Sequence, residues 1–269
     1  MKLFFKGILL GLVVSLLFIE NSTAQLSLAV GAGGTGYSGD VSGLKIQNTE
    51  PAVNVELWYQ YTRNLYLKSG ASYYKIGAPD VHPSRNRAFK ASNIELYTSL
   101  MYGGNPGAKL MPFAYAGLGF TTNNPQYLLS SDGGAGEIKA SDLQTESEPI
   151  PNISMIFPLG VGFRYDLSKK VAFVVDAGMR VVNSDLLDGV SARTINVANL
   201  SPEEVNYFET IRPNGINGAT SFGNGNPNKA DVYGMLTLKL LFKLGDQKKY
   251  GKRGGSMPCP TFYNSSLYY

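Results

Sequence analysis

Three places in this chain hold residue types that could do chemistry. Asp80, His82 and Ser84 stand within five residues of one another, and His82 is the only histidine. An acid, an imidazole and a hydroxyl carry out acyl transfer when the base is oriented by the acid and activates the hydroxyl. Here they are close neighbours around Pro83, which is the pattern of turn chemistry. The run GAGGTG at residues 31–36 matches the dinucleotide fingerprint G-x-G-x-x-G. That fingerprint needs a strand before it and a helix after it. Here it lies inside an alternating strand, so the glycines are read as facing a crowded interior or bending the strand. Cys259 stands between Pro258 and Pro260, which hold it extended and exposed, and as the only cysteine it can form no intramolecular disulfide. It is either an incidental thiol or a partner-disulfide candidate. One histidine and one cysteine argue against a zinc or iron site, and no cofactor is expected.

The elements that position these residues read as strands. From 153 to 165 every odd position is apolar, while the even ones hold Ser154, Pro158, Gly160, Gly162 and Arg164, with Ile156 as the exception. After Ser168-Lys169-Lys170 the alternation resumes over 171–181, with Asp176, Gly178 and Arg180 on the opposite face. Period-2 alternation makes each run a strand with one apolar and one polar face. Each is about a dozen residues long, twice the ordinary strand and long enough to cross a bilayer at a tilt. Six more segments alternate, at 26–37, 52–62, 65–76, 91–102, 112–122 and 231–244. The third of the eight is blurred.

The connections alternate in length. Residues 63–64, 103–111 and 168–170 are short, whereas 38–51, 77–90, 123–151 and 183–230 are long. Long loops at one end and tight turns at the other is the layout of outer-membrane barrels, with the turns periplasmic. The expected fold is therefore all-β, an eight-stranded antiparallel up-and-down transmembrane β-barrel with long extracellular loops. With the apolar faces toward lipid, Glu56, Glu95, Arg164, Asp176, Arg180 and Lys239 enter the lumen as a lumen ion-pair network. Eight strands leave an interior that side chains fill, so no open pore is expected. In the longest connection, Ser201, Pro202 and Glu204 spell a capping box and predict a short helix.

Composition and charge agree with export. Lys2 and Lys6, an apolar run over 8–19 and Ser22-Thr23-Ala24 read as a signal peptide over 1–24. The barrel is then 25–244, and 245–269 is a basic periplasmic tail bearing Lys248, Lys249, Lys252 and Arg253. Charged residues make up 16% of the chain, below the usual quarter. The basic excess sits in the tail rather than the barrel, which argues against a nucleic-acid binder. The expected location is the outer membrane, with the lipid bilayer as one partner.

Several pieces together resemble a known family. They are SGD at 38–40, PFAYAGLGF at 112–120, FPLGVGFRYDLSKKVAFVVDAGMR at 157–180, SDLLDGVS at 184–191 and GNPNKADVY at 225–233. These are similar to the outer-membrane β-barrel subunit of the type IX secretion system (PorG-type). The resemblance implies a non-enzymatic barrel that ties a periplasmic ring of the secretion machinery to the outer membrane. It implies a periplasmic ring lipoprotein as partner, with a disulfide at Cys259 and a partner-binding tail at Lys248, Lys249, Lys252 and Arg253. The chain departs from the family in running on to Tyr268-Tyr269. Two other functions remain open: a generic small outer-membrane barrel for adhesion or envelope integrity, and a lipid-modifying enzyme using His82.

Overall fold

Strong alternation produces strands that pair with their sequence neighbours and then close on themselves. The computed structural model describes residues 25–80, 88–105, 107–128, 137–139, 150–190, 194–212, 215–216, 218–223 and 231–244. In chain order the strands are β1 (Gln25–Ser38), β2 (Glu50–Gln60), β3 (Leu65–Pro79), β4 (Ala88–Gly103), β5 (Leu110–Thr122), β6 (Pro125–Leu128), β7 (Glu137–Lys139), β8 (Ile153–Asp166) and β9 (Val171–Val182). They continue with β10 (Thr194–Asn196), helix α1 (Pro202–Ile211), β11 (Ser221–Gly223) and β12 (Val232–Lys243). The wall is β1-β2-β3-β4-β5-β8-β9-β12, antiparallel throughout, and β12 returns to β1 from Ser27↔Lys243 to Ser38↔Val232. Closure leaves no wall edge unpaired, which is what lets a sheet stand in hydrocarbon. This is the eight-stranded antiparallel barrel expected from the alternation.

The two ends differ. At one, tight turns join the strands. Tyr61 N and Thr62 N both donate to Leu65 O, at 3.0 and 3.1 Å. Ser168 Oγ accepts from Lys170 N at 3.2 Å and from Val171 N at 3.0 Å. At the other, the strands rise further than the alternation suggested. β3 runs to Pro79, β4 starts at Ala88, and residues 123–151, read as a plain loop, contain β6 and β7. β6 continues β5 in one register along β4, with Thr121 opposite Glu95 and Pro125 opposite Ala91. The helix starts at Pro202 with both halves of the capping box formed, as the sequence predicted.

Side chains sort by parity. Ile94, Leu96 and Leu100 of β4 are 52%, 50% and 56% exposed, and their neighbours Asn93, Glu95 and Ser99 are buried. A belt of this kind surrounds the wall, with Val53, Val55, Leu118, Val161, Leu236 and Leu238 also outward. A continuous apolar belt is unfavourable in water, and it matches the lipid-facing surface of a membrane barrel.

The seam between β1 and β12 depends on the glycine run. A Cβ on Gly33 would lie 1.9 Å from the carbonyl oxygen of Leu236, a backbone atom that cannot yield without parting the strands. Gly33→Val is therefore expected to cost about 1–3 kcal/mol and to lower the yield of the folded, heat-modifiable band on cold SDS gels. A wild-type yield would dismiss this packing role.

Candidate functional site

The parity that turns leucines outward aims polar side chains at the barrel axis, where they form tiers. Nearest the turns, Trp58 and Phe113 meet edge to face at 5.3 Å, beside buried Tyr66, Met101 and Met111. Arg164 sits at this end, with its Nε 3.0 Å from Asp166 Oδ1, and Lys243 Nζ contacts Asp166 Oδ2 at 2.7 Å.

The middle tier holds two cations and two carboxylates. Lys239 Nζ lies 2.6 Å from Glu56 Oε1 and 2.5 Å from Asp176 Oδ2. Lys68 Nζ lies 2.5 Å from the same Asp176 oxygen and 3.4 Å from Glu56 Oε1. Neutral donors complete the shell: Trp58 Nε1 to Glu56 Oε2 at 2.8 Å, Tyr115 to Asp176 Oδ1 at 2.9 Å, and Tyr97 to Glu56 Oε1. Lys68 Nζ also stands 3.7 Å from the centre of the Tyr115 ring. Four formal charges cancel, so burial leaves no uncompensated ion.

Toward the loops the pairing is one to one. Arg180 donates to Glu95 through Nε at 3.2 Å and Nη2 at 3.0 Å. Tyr233 and Ser72 donate to the same carboxylate at 2.6 and 2.9 Å. Tyr74 stacks on Tyr233 with ring centres 4.6 Å apart, and its hydroxyl meets Thr121 Oγ1 at 2.7 Å.

All six residues of the proposed lumen set are thus interior, but they do not form one network. Glu56, Asp176 and Lys239 meet in the middle, Glu95 and Arg180 pair above them, and Arg164 belongs to the turn end with Asp166. Lys68, absent from the set, takes the central place. Its strand gave no clean signal: inward positions carry apolar Tyr66, Tyr74 and Ile76, and outward positions carry Ser69 and Lys75. Its parity with Tyr66 and Gly70 was the available clue. Asp80 is partly buried. His82, Ser84, Cys259, Lys248, Lys249, Lys252, Arg253 and the signal segment lie outside the described residues.

The loop end is capped from within. Leu187, Val190, Tyr207, Phe208 and Ile211 join Tyr37, Phe89 and Tyr127 in one buried cluster. Tyr37 Oη lies 2.6 Å from Asp188 Oδ2 and 2.7 Å from Asp231 Oδ1. These carboxylates also accept backbone hydrogen bonds, Asp188 from Val41 and Val190, and Asp231 from Leu187. They tie two loops over the mouth.

One hydroxyl has one proton to donate, so holding both contacts at once calls for a second proton on one of the two carboxylates. Burial, followed by the charge of Asp188, raises the Asp231 carboxyl well above the ordinary carboxylate range. A group raised in the folded state contributes stability below its unfolded value, and that contribution is lost as pH rises through the folded one. Protection of the Leu187 and Val190 amides, corrected for intrinsic exchange, is therefore expected to fall as pH rises through the raised Asp231 value. Asp231→Asn, whose amide can donate to Tyr37 at any pH, is expected to flatten that profile and to recover about 1–3 kcal/mol at its alkaline end. The same slope in both proteins would reject the shared proton.

No protein-family model matches the chain, and no curated protein matches it. Solved structures do. Neisserial surface protein A aligns at 12% identity with a TM-score of 0.45, over 82% of this chain and 97% of that one. A major outer membrane protein from Thermus thermophilus aligns at 15% and 0.41, over 82% and 99%. The attachment invasion locus protein Ail of Yersinia pestis aligns at 10% and 0.39, over 81% and 99%.

Proposed function

We propose that the protein is a non-enzymatic outer-membrane barrel that anchors a periplasmic ring of the type IX protein secretion machinery. The observation that carries this reading is the filled lumen. Among the described residues, two neutral ion clusters and a capped mouth leave no passage for a solute, so such a barrel works through its ends and its outer wall. Its tight turns face the periplasm in the usual arrangement of these barrels, and Lys243 and Leu244, after which the basic tail begins in sequence, lie at that same end. The similarity of residues 184–191 and 225–233 to the type IX barrel subunit directs that end toward a ring lipoprotein, with Cys259 as the residue that would bond it.

Deleting the gene is expected to stop secretion of folded cargo, and pull-down from native membranes without reductant to recover a periplasmic lipoprotein that Cys259→Ser releases. Secretion at the normal level would sink the reading in favour of adhesion or envelope integrity. In planar bilayers the purified protein is expected to show no unit conductance, and large steady steps would overturn the closed lumen itself.

A further inference from the structure

The outer wall is not the same all round. Across β1 to β4 and β12 the belt dips into an apolar hollow of about 740 Å³. Small Ala32 and Ala71 lie among its lining residues, and Tyr73, Ile94 and Leu238 are bulkier ones. Just beyond it toward the loop end, the outward positions turn basic. Lys75 follows Tyr73 by two residues on β3. Lys90 of β4 stands opposite Gly77, where a Cβ would lie 3.1 Å from Lys90 Cγ. The third lysine, Lys45, is in the connection between β1 and β2, which folds back onto the wall. Positions for a Cβ on Gly34 and Gly36 lie 2.5 Å from Thr49 Cγ2 and 2.5 Å from Leu44 Cδ1.

Leu44 and Ile46 flank Lys45 and are 66% and 93% exposed. An isoleucine so bare is unfavourable in water, and at the membrane boundary it would enter the acyl layer beside the hollow. Among the described residues none of the three lysines makes an ion pair. At the loop ends of β5, β8, β9 and β12 the outward residues are Thr122, Ile153, Val181 and Val232, none of them charged. Among these described strand ends, the outward lysines thus lie in the sector that carries the hollow. Ammonium groups at headgroup level above an acyl-sized depression match one chemistry, a phosphate with several acyl chains attached.

We infer that the β1–β4 face binds a phosphate-bearing, multi-acyl lipid of the leaflet at the loop end, its acyl chain in the hollow and its phosphate at Lys45, Lys75 and Lys90. The site needs only that the barrel crosses a membrane, so it stands or falls separately from the secretion reading.

Full-length protein refolded into nanodiscs of phosphatidylcholine doped with lipid A, then released for native mass spectrometry, tests it. Wild type is expected to retain lipid A in preference to phosphatidylcholine, and to lose that preference for dephosphorylated lipid A. The combined variant Lys45→Gln, Lys75→Gln and Lys90→Gln is expected to retain about 10- to 100-fold less. Ala32→Trp, which fills the hollow without touching the lysines, is expected to reduce retention as well. A control with Lys109→Gln, Lys169→Gln and Lys170→Gln at the turn end is expected to behave as wild type. Equal retention by the rim variant and wild type would overturn the site, and so would an equal loss in the control. Folding is checked by heat modifiability, and Lys75→Gln alone serves if the combined variant does not fold.

Discussion

Replacing Lys68 by methionine is expected to remove about 3–5 kcal/mol of stability, because it leaves a buried carboxylate cluster short of one cation. Lys68 is fully buried, with its ammonium 2.5 Å from Asp176 and 3.4 Å from Glu56. Methionine keeps most of the volume, so the loss reports charge rather than a cavity. Lys239 would then face two carboxylates alone, in a medium where water cannot screen them. The readout is built in: Trp58 is the only tryptophan, and its indole donates to Glu56 at 2.8 Å. Its emission in a urea titration of vesicle-refolded protein follows the cluster directly.

A second substitution separates charge balance from packing. Lys68→Met with Asp176→Asn again has one cation and one carboxylate, Lys239 and Glu56, at 2.6 Å. The double variant is expected to be more stable than Lys68→Met alone, although Asp176→Asn on its own destabilises. If the two losses simply add, the central tier is not held by mutual neutralisation.

The wall was legible because period-2 alternation depends on local sequence alone. Residues 153–165 and 171–181 declare two faces without help from distant residues, and the short and long connections then order the strands. The capping box at Ser201 to Glu204 was legible for the same reason. Less visible were features fixed by partners far along the chain. β6 exists because it can continue along β4, and Asn123 and Asn124 looked like a loop opening because they interrupt the run. The pairing of Lys68 with Asp176, across 108 residues, follows from where a closed barrel brings β3 opposite β9. A residue's face can be read from its parity, whereas its partner depends on register and closure. Sorting the six interior charges into tiers needed both, and so did finding that Arg164 belongs with Asp166.

The cap was hidden for a related reason. Asp188 stands in the long connection 183–230 and Asp231 opens the last alternating segment, both places where a carboxylate is usually solvated. What turns them inward is Tyr37, a β1 residue whose hydroxyl reaches both carboxylates, together with backbone donors from two loops. No local pattern around Asp188 announces that contact.

Glu95→Leu is expected to have an effect as large as Lys68→Met, about 3–5 kcal/mol, for a different reason. The central tier keeps one member of each sign to share when a single residue is lost, but among the described residues the one carboxylate paired with Arg180 is Glu95. Removing the carboxylate strands the charge of Arg180, a residue 2% exposed, and it takes the acceptor from Tyr233 and Ser72 as well. Orphaned buried donors each carry a desolvation penalty. Glu95→Gln keeps an acceptor for those hydroxyls and loses only the charge, so a smaller loss is expected. Adding Arg180→Met to Glu95→Leu removes the stranded cation and is expected to recover part of the stability, since an apolar pair can replace a buried ion pair at little cost. The two tiers should also sense each other through Tyr97, whose hydroxyl donates to Glu56 while its ring lies 5.6 Å from the Arg180 guanidinium carbon. Residues that share a partner in this way do not add, so Lys68→Met combined with Glu95→Leu should differ from the sum of its parts. Strict additivity in that cycle would mean that the tiers are independent plugs, each closing the lumen by itself.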